Sequence, residues 1–242
     1  MGGNQPVPAN LWVCHLGRMP YLETLDLQRR LAALRVEGRI DDILLLLQHP
    51  PTVTLGRFGK QENLLCPVDE LRQRKIDFCR TDRGGDITFH CPGQLIMYPV
   101  MDLRRWKGCL RDFLRQLEEV AILTLQSYGI AAERWTEHPG IWVDGKQIGA
   151  VGLRISHGIS MHGLSLNVNP DLKKFKVINL CGLPGKEATS ISELLGRPVA
   201  ISDVRHRLER NFAQVFNVKL MEISAQQVKE DSYATTPAAA VV

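Results

Sequence analysis

Apolar residues recur at helical spacing from Tyr21 to Val36, with Leu22, Leu25, Leu31 and Leu34 on the period and Gly38 as a stop. Leu110 to Tyr128 is the clearest amphipathic helix, and Gly129 ends it. Two more helices are expected: a short one over Val68 to Lys75, and a closing one over Ser202 to Phe216 with Ser202 as N-cap. Between these segments the pattern changes to that of strands. Ile43 to Leu47 is an unbroken aliphatic run of buried-strand length, and His49-Pro50-Pro51 ends it because proline cannot donate to a ladder. Thr52 to Leu55, Gln94 to Val100 and Met161 to Val168 also read as strands. Ile141 to Val143, then Asp144-Gly145, then Lys146 onward, reads as a hairpin on a two-residue turn.

Strands and helices mix without strict alternation, so the expected class is α+β, one mixed sheet covered by helices. Residues 1–222 are expected to form a single domain. Residues 223–242, rich in Ala, Thr and Gln, are expected to be a disordered tail.

Composition narrows the function. The chain of 242 residues can bury a sizeable core. Its formal charge of +4 is not gathered into a stripe, which argues against nucleic acid and fits an acidic protein partner. No apolar run approaches the ~20 residues of a membrane span. No basic region followed by an apolar stretch opens the sequence, and Pro6 stands where a myristoylation signal wants Ser or Thr. A cytoplasmic protein without a membrane anchor is expected. Six cysteines without a C-x-x-C pair read as reduced thiols, and seven histidines without H-E-x-x-H spacing give no metal site.

Four segments could carry chemistry. Arg83 to His90 contains Gly84-Gly85, which permits close backbone approach to a ligand but is equally the pattern of a surface turn. It lacks the spacing of a dinucleotide or phosphate loop. Gly149, Ala150 and Gly152 make a bare strand, open either to a packed helix or to an apolar chain in a groove. His162 stands alone on a strand, where a structural histidine is the ordinary case. Cys181, followed by Gly182 and near Pro184, sits on a turn; it is either a nucleophile or an inert thiol.

Jointly these segments resemble the lipoyl/octanoyl-transferase family, from about Trp12 to Val218. The resemblance is carried by Leu46 to Gly56, Asp82 to Gln94, Gly140 to Val143, Ile148 to Arg154, His162 to Asn169 and Cys181-Gly182. It implies the fold of lipoate and biotin protein ligases. It implies an acyl pocket lined by Arg83, Gly84, Gly85, Asp86, Ile87, Thr88, Phe89 and His90, by Ala150, Val151 and Gly152, and by Gly163, Leu164 and Ser165. Cys181 would be the acyl-accepting nucleophile. The implied donor is octanoyl-acyl carrier protein. The implied acceptors are lysines on the lipoyl domains of 2-oxoacid dehydrogenase E2 subunits and on the glycine cleavage H protein. Neither ATP nor a metal is implied, and the implied state is a monomer.

One departure bears on the chemistry. The family's activating lysine falls on Gln147, and the available Lys146 lies one residue earlier. Adjacent strand residues face opposite ways, so Lys146 substitutes only if a bulge shifts the register. His162 is a candidate to compensate. Cys91 replaces the more usual glycine and is either a tolerated side chain or a second thiol near the pocket. Arg57, Lys60, Arg104 and Arg105 are candidates to dock an acidic carrier protein. Two other readings remain: an ATP-dependent lipoate or biotin ligase, against which the short Arg-Gly-Gly loop counts, and an acyl or lipoyl-domain binding protein in which Gln147 marks weakened catalysis. A Cys-His hydrolase would need a histidine paired with Cys181.

Overall fold

The structure, a computed structural model, describes residues 9–106, 109–135 and 138–233. The chain opens with β1 (Ala9–Arg18), α1 (Tyr21–Val36), β2 (Ile43–Gln48), β3 (Thr52–Leu55), α2 (Val68–Gln73), β4 (Asp77–Arg80), β5 (Ile87–His90) and β6 (Gln94–Val100). It continues through α3 (Leu110–Gln126), β7 (Glu133–Arg134), β8 (Ile141–Val143), β9 (Lys146–Ser156), β10 (Ile159–Asn167) and α4 (Ile191–Leu195). It closes with α5 (Ile201–Phe216), β11 (Val218–Ile223) and α6 (Ala225–Tyr233).

Eight strands form one sheet in the order β11-β1-β2-β6-β10-β9-β8-β7, and β4-β3-β5 form a second, smaller sheet. The large sheet is mixed: β1 runs parallel to both β2 and β11, and the remaining pairs are antiparallel. The expected α+β class is observed, but with a second sheet where one was expected.

The aliphatic run in β2 explains the layering. Successive strand residues point to opposite faces, and a strand covered on both sides needs no polar alternation. Leu44 and Leu46 join a core with Phe113, Leu117, Leu208 and Phe212 of α3 and α5. Ile43, Leu45 and Leu47 join a second core with Leu27 and Leu31 of α1. A third core, built on Val53, Leu55, Phe89 and Phe175, lies with the small sheet.

Most expected elements appear within a residue or two of their expected bounds. The Asp144-Gly145 turn has positive φ at both residues, 48° and 75°, as a tight hairpin of this hand requires. Three expectations are corrected. Leu22 is exposed; α1 buries Leu25, Leu27, Leu31 and Leu34, one residue off the expected stripe at its start. Ser202 lies inside α5, whose N-cap is Ala200. The segment expected to be disordered supplies the end of β11 and all of α6, because Val228 buries itself in the core beside α1; residues 234–242 of that expected tail lie outside the described residues. Strands β1, β4, β5, β7 and β11 have no counterpart in the pattern. No helix among the described residues is long and apolar enough to cross a membrane.

Val228 is 2 % exposed. Replacing it with Asp would bury a charge without a partner, and the expected loss is ~2–4 kcal/mol in a urea unfolding curve. An unchanged midpoint would show that α6 is peripheral to the fold.

Candidate active site

The site begins with an irregularity in β9. Along β8, Ile141 pairs with Gly149 but the next residue, Trp142, pairs with Gln147, so Ile148 is an extra residue. Ile148 is buried in the α3–α5 core, and Val151 and Leu153 pack against that same core. Strict alternation would put Ile148 on the opposite face from these two; the bulge reconciles them. It thereby turns Gln147 to the face of Ala150 and Gly152. Lys146 is left exposed and binds Glu187 at 2.8 Å. The shift needed to bring a side chain toward the site is present, and it delivers Gln147, not Lys146.

Gln147 is 4 % exposed. Its backbone N–H donates to Glu187 O and its carbonyl accepts from Thr189 N, both at 2.9 Å. Its side-chain Nε2 donates to Cys181 Sγ at 2.9 Å. Cys181 adopts a left-handed conformation, φ 53° and ψ 24°, and Gly182 follows at φ 73°. A side chain at 182 would strike the Asp86 carboxylate, whose Oδ2 lies 2.7 Å from the Cβ position. Asp86 accepts from Asn63 Nδ2 at 2.9 Å and from its neighbour's backbone, Ile87 N, at 2.7 Å. Asn63 O in turn accepts from Asn179 N. The turn bearing the thiol is thus clamped between the loop at Asn63 and the start of β5. Desolvation raises the Cys181 pKa above the ordinary thiol range; the Gln147 hydrogen bond and the Arg83 charge pull it down by less.

Arg83 is 6 % exposed. Its guanidinium donates to Thr54 Oγ1, to Thr54 O at 2.7 Å and to Gly84 O at 3.0 Å. Among the described residues it has no carboxylate within ion-pair distance. Its charge is held by carbonyl and hydroxyl dipoles alone, so it acts on its surroundings. Gly84 N donates to Leu153 O, and a Cβ at Gly152 would lie 2.8 Å from Gly84 O. The two sheets touch there backbone to backbone; what approaches the bare strand at Gly152 is the Gly84 loop, and not the packed helix that was one of the two expectations.

Between the sheets runs a narrow, partly open cleft with a cavity volume of about 20 Å³. Arg83, Thr88 and His90 line it from the small-sheet side; Ala150, Val151 and Gly152 of β9, His162 to Ser165 of β10, and Tyr98 of β6 line the other. Of the residues expected around a pocket, Gly84 and Gly85 shape the turn and Asp86 holds the thiol loop. Ile87 and Phe89 point away, into the third core. Cys91 joins them there, its thiol pushed up to about 12 by burial, so it is a core residue and not a second thiol at the cleft.

His162 has positive φ, 59°, within β10. Its Nε2 lies 2.9 Å from Asp82 Oδ1 and its Nδ1 3.4 Å from Tyr21 Oη. Burial lowers its pKa despite the carboxylate, while the histidine, Arg29 and Arg154 hold Asp82 far below the usual carboxylate range. With both nitrogens engaged, His162 makes no contact with Cys181 among those observed. Asp82, Tyr21, Asn63 and Thr54 were not singled out from the sequence. Asp82 alone carried a signal, as the residue before Arg-Gly-Gly. Arg57 and Lys60 lie on the loop that hydrogen-bonds Arg83 O and Asp86, beside the site. Arg104 and Arg105 instead pair with Asp102, and Arg104 packs on Gly158 at the opposite end of β9. Among the described residues no group of three or more His, Cys, Asp or Glu side chains is placed to hold a metal ion.

Residues 20–213 match the family model for the lipoyl protein ligase A/B catalytic domain. The chain belongs to that family. Among its relatives is an octanoyltransferase of Solibacter usitatus, 43 % identical over 212 residues, covering 88 % of this chain and 96 % of the relative. An octanoyltransferase of Caldicellulosiruptor saccharolyticus is 41 % identical over 220 residues, 90 % and 94 % of the two chains. In three dimensions this lipoyl ligase A/B domain is similar to a lipoate-protein ligase A bound with ATP, TM-score 0.73 at 18 % identity over 93 % and 92 % of the chains. It is also similar to a bipartite lipoate protein ligase of Thermoplasma acidophilum, TM-score 0.71 at 17 % identity over 93 % and 90 %. The structural likenesses establish the fold; the sequence relatives make this family member an acyltransferase of protein lipoylation.

A methyl group at position 152 would press on Gly84 O and on Arg83 Cδ at 3.4 Å. Gly152→Ala is expected to cost ~1–3 kcal/mol of stability and to reduce acyl transfer more than that loss explains. Thermal unfolding and activity measured on the same preparation check this; normal activity in a destabilised protein would contradict it.

Proposed function

We propose that this protein transfers an octanoyl group from acyl carrier protein to a lysine of a lipoyl domain, through a thioester on Cys181. The reading is carried by one observation: Cys181 Sγ sits 2.9 Å from the side chain at the family's lysine position, while Arg83 both acts on that thiol and lines the cleft. In the first half-reaction the Cys181 thiolate attacks the donor carbonyl. Its carbon–sulfur bond to the carrier breaks, and the carrier thiol leaves with a proton. In the second, the acceptor's amine attacks the enzyme thioester, a carbon–nitrogen bond forms as the carbon–sulfur bond breaks, and Sγ takes the proton that the amine gives up. Thioester exchange is nearly balanced in energy and amide formation drives the sequence, so neither ATP nor a metal is required.

Gln147 fixes what this enzyme does well and poorly. Its amide donates one hydrogen bond to sulfur, which orients the thiol and offers some support to a thiolate. It carries no positive charge and cannot take up or return the thiol proton. The thiol therefore waits in its neutral form at pH 7.

Intact-protein mass spectrometry with octanoyl-carrier protein and no ATP is the direct test. A gain of one octanoyl group, absent in Cys181→Ala and discharged by an apo lipoyl domain, is expected. No adduct, with acylation appearing only when free octanoate and ATP are supplied, would replace this reading by ligation. The raised thiol pKa gives a second expectation: kcat/KM of the native chain keeps rising through about pH 9. In Gln147→Lys that limb moves to lower pH, and the rate near pH 7.5 increases about tenfold. An unchanged or lower rate would show that proton handling at this position does not limit transfer.

A further inference from the structure

The inner part of the cleft ends at a cluster of five rings: Tyr21, His49, His90, Tyr98 and His162. Tyr21 stacks on His90 at 5.6 Å between centroids, and His49 meets His90 edge-on at 5.4 Å. Four of the five have their heteroatoms matched. His49 Nδ1 lies 2.7 Å from Met19 O and its Nε2 3.0 Å from Tyr98 Oη, so it donates to the carbonyl and accepts from the phenol. His162 is held by Asp82 and Tyr21, and Tyr21 Oη lies 3.1 Å from Thr81 Oγ1.

His90 is the exception. It is 5 % exposed and borders the cleft, yet neither ring nitrogen has a hydrogen-bond partner among the described residues. Gln94 Oε1 accepts Cys91 N on one lone pair and lies near enough to His90 to favour its protonated form, but it makes no hydrogen bond of good geometry to either ring nitrogen, and its Nε2 is given to Phe89 O and Asn167 Oδ1. Burial, then the neighbouring His49 and Arg83, hold His90 well below the ordinary histidine range, so the ring is neutral. A neutral imidazole offers one N–H and one lone pair. Both are costly to bury unmatched, and a wholly apolar tail would leave both unmatched.

We infer that the inner end of the acyl cleft is a hydroxyl-binding subsite built on His90, and that the enzyme accepts medium-chain acyl groups hydroxylated near the tail. A hydroxyl both donates and accepts, which is the complement of a neutral imidazole. The surrounding rings exclude charged tails, since among the described residues no unpaired cation or anion stands beside His90 other than Arg83, whose donors are occupied.

The inference rests on the acyl-transfer reading, and the experiment separates the two. Octanoyl donors, and donors hydroxylated at each of the last three carbons, are compared by kcat/KM. The free acids are compared by calorimetry. At least one hydroxylated donor is expected within about threefold of octanoyl, where a purely apolar cleft would reject it by about 10–100-fold. In His90→Phe the ratio of hydroxylated to plain substrate is expected to fall at least tenfold, in binding as in transfer. If no acyl group is transferred but the hydroxy acid binds with that His90-dependent preference, the transfer reading fails and the subsite stands. If octanoyl is transferred while every hydroxylated chain is rejected tenfold or more by the native protein and by His90→Phe alike, His90 serves water alone and the subsite is overturned. The native ratio decides the matter even if His90→Phe does not fold.

Discussion

Everything in this site depends on two backbones that touch. Gly84 in the loop before β5 and Gly152 in β9 bring the small sheet onto the large one with no side chain between them. That contact encloses Arg83 and gives the cleft its narrow section. A buried guanidinium normally demands a carboxylate. Here Thr54 and Gly84 satisfy its donors without neutralising it. The protein therefore keeps a positive charge without a carboxylate partner beside neutral histidines and thiols. That charge is the nearest substitute the site has for the missing lysine, and its effect on Cys181 is smaller than the desolvation that opposes it.

The bulge at Ile148 decides which side chain meets the Cys181 thiol. Reading β9 as a regular strand would send Gln147 into the core with Val151 and leave the thiol unaccompanied. Because one residue is added, both Ile148 and Gly149 fall on the core side, and polarity resumes at Ala150. Lys146, though of the right chemical type, is committed to Glu187 at the surface. The protein has the geometry of a lysine–cysteine pair and fills it with an amide.

The sequence disclosed elements whose driving force is local and hid those whose driving force is distant. The aliphatic run of β2, the stripe of α3 and the Asp144-Gly145 turn each declare themselves because period, length and turn chemistry agree. β1 and β11 do not: they are half-polar strands stabilised by pairing with one another across almost the whole chain. α6 was read as disorder because composition is a poor guide where a single buried valine settles the matter. In the site, glycines and the cysteine were visible through what their smallness or reactivity allows. Tyr21, Asn63 and Thr54 do not stand out in the sequence, and Asp82 does so only through the motif it precedes, because their importance comes from neighbours 23 to 141 residues away in the chain. The bulge itself left only a conditional trace, as the one circumstance under which adjacent residues could exchange roles.

The left-handed turn at Cys181 has an implication for how the sequence drifts. An L-residue with a side chain held at φ 53° is disfavoured by ~1–2 kcal/mol relative to glycine, which tolerates that backbone freely. Folding alone would choose glycine or asparagine at this position. A population of variants screened only for heat tolerance would accordingly replace the cysteine early, growing sturdier as it lost that thiol. The thiol at position 181 is thus carried on a backbone that would fold more readily without it.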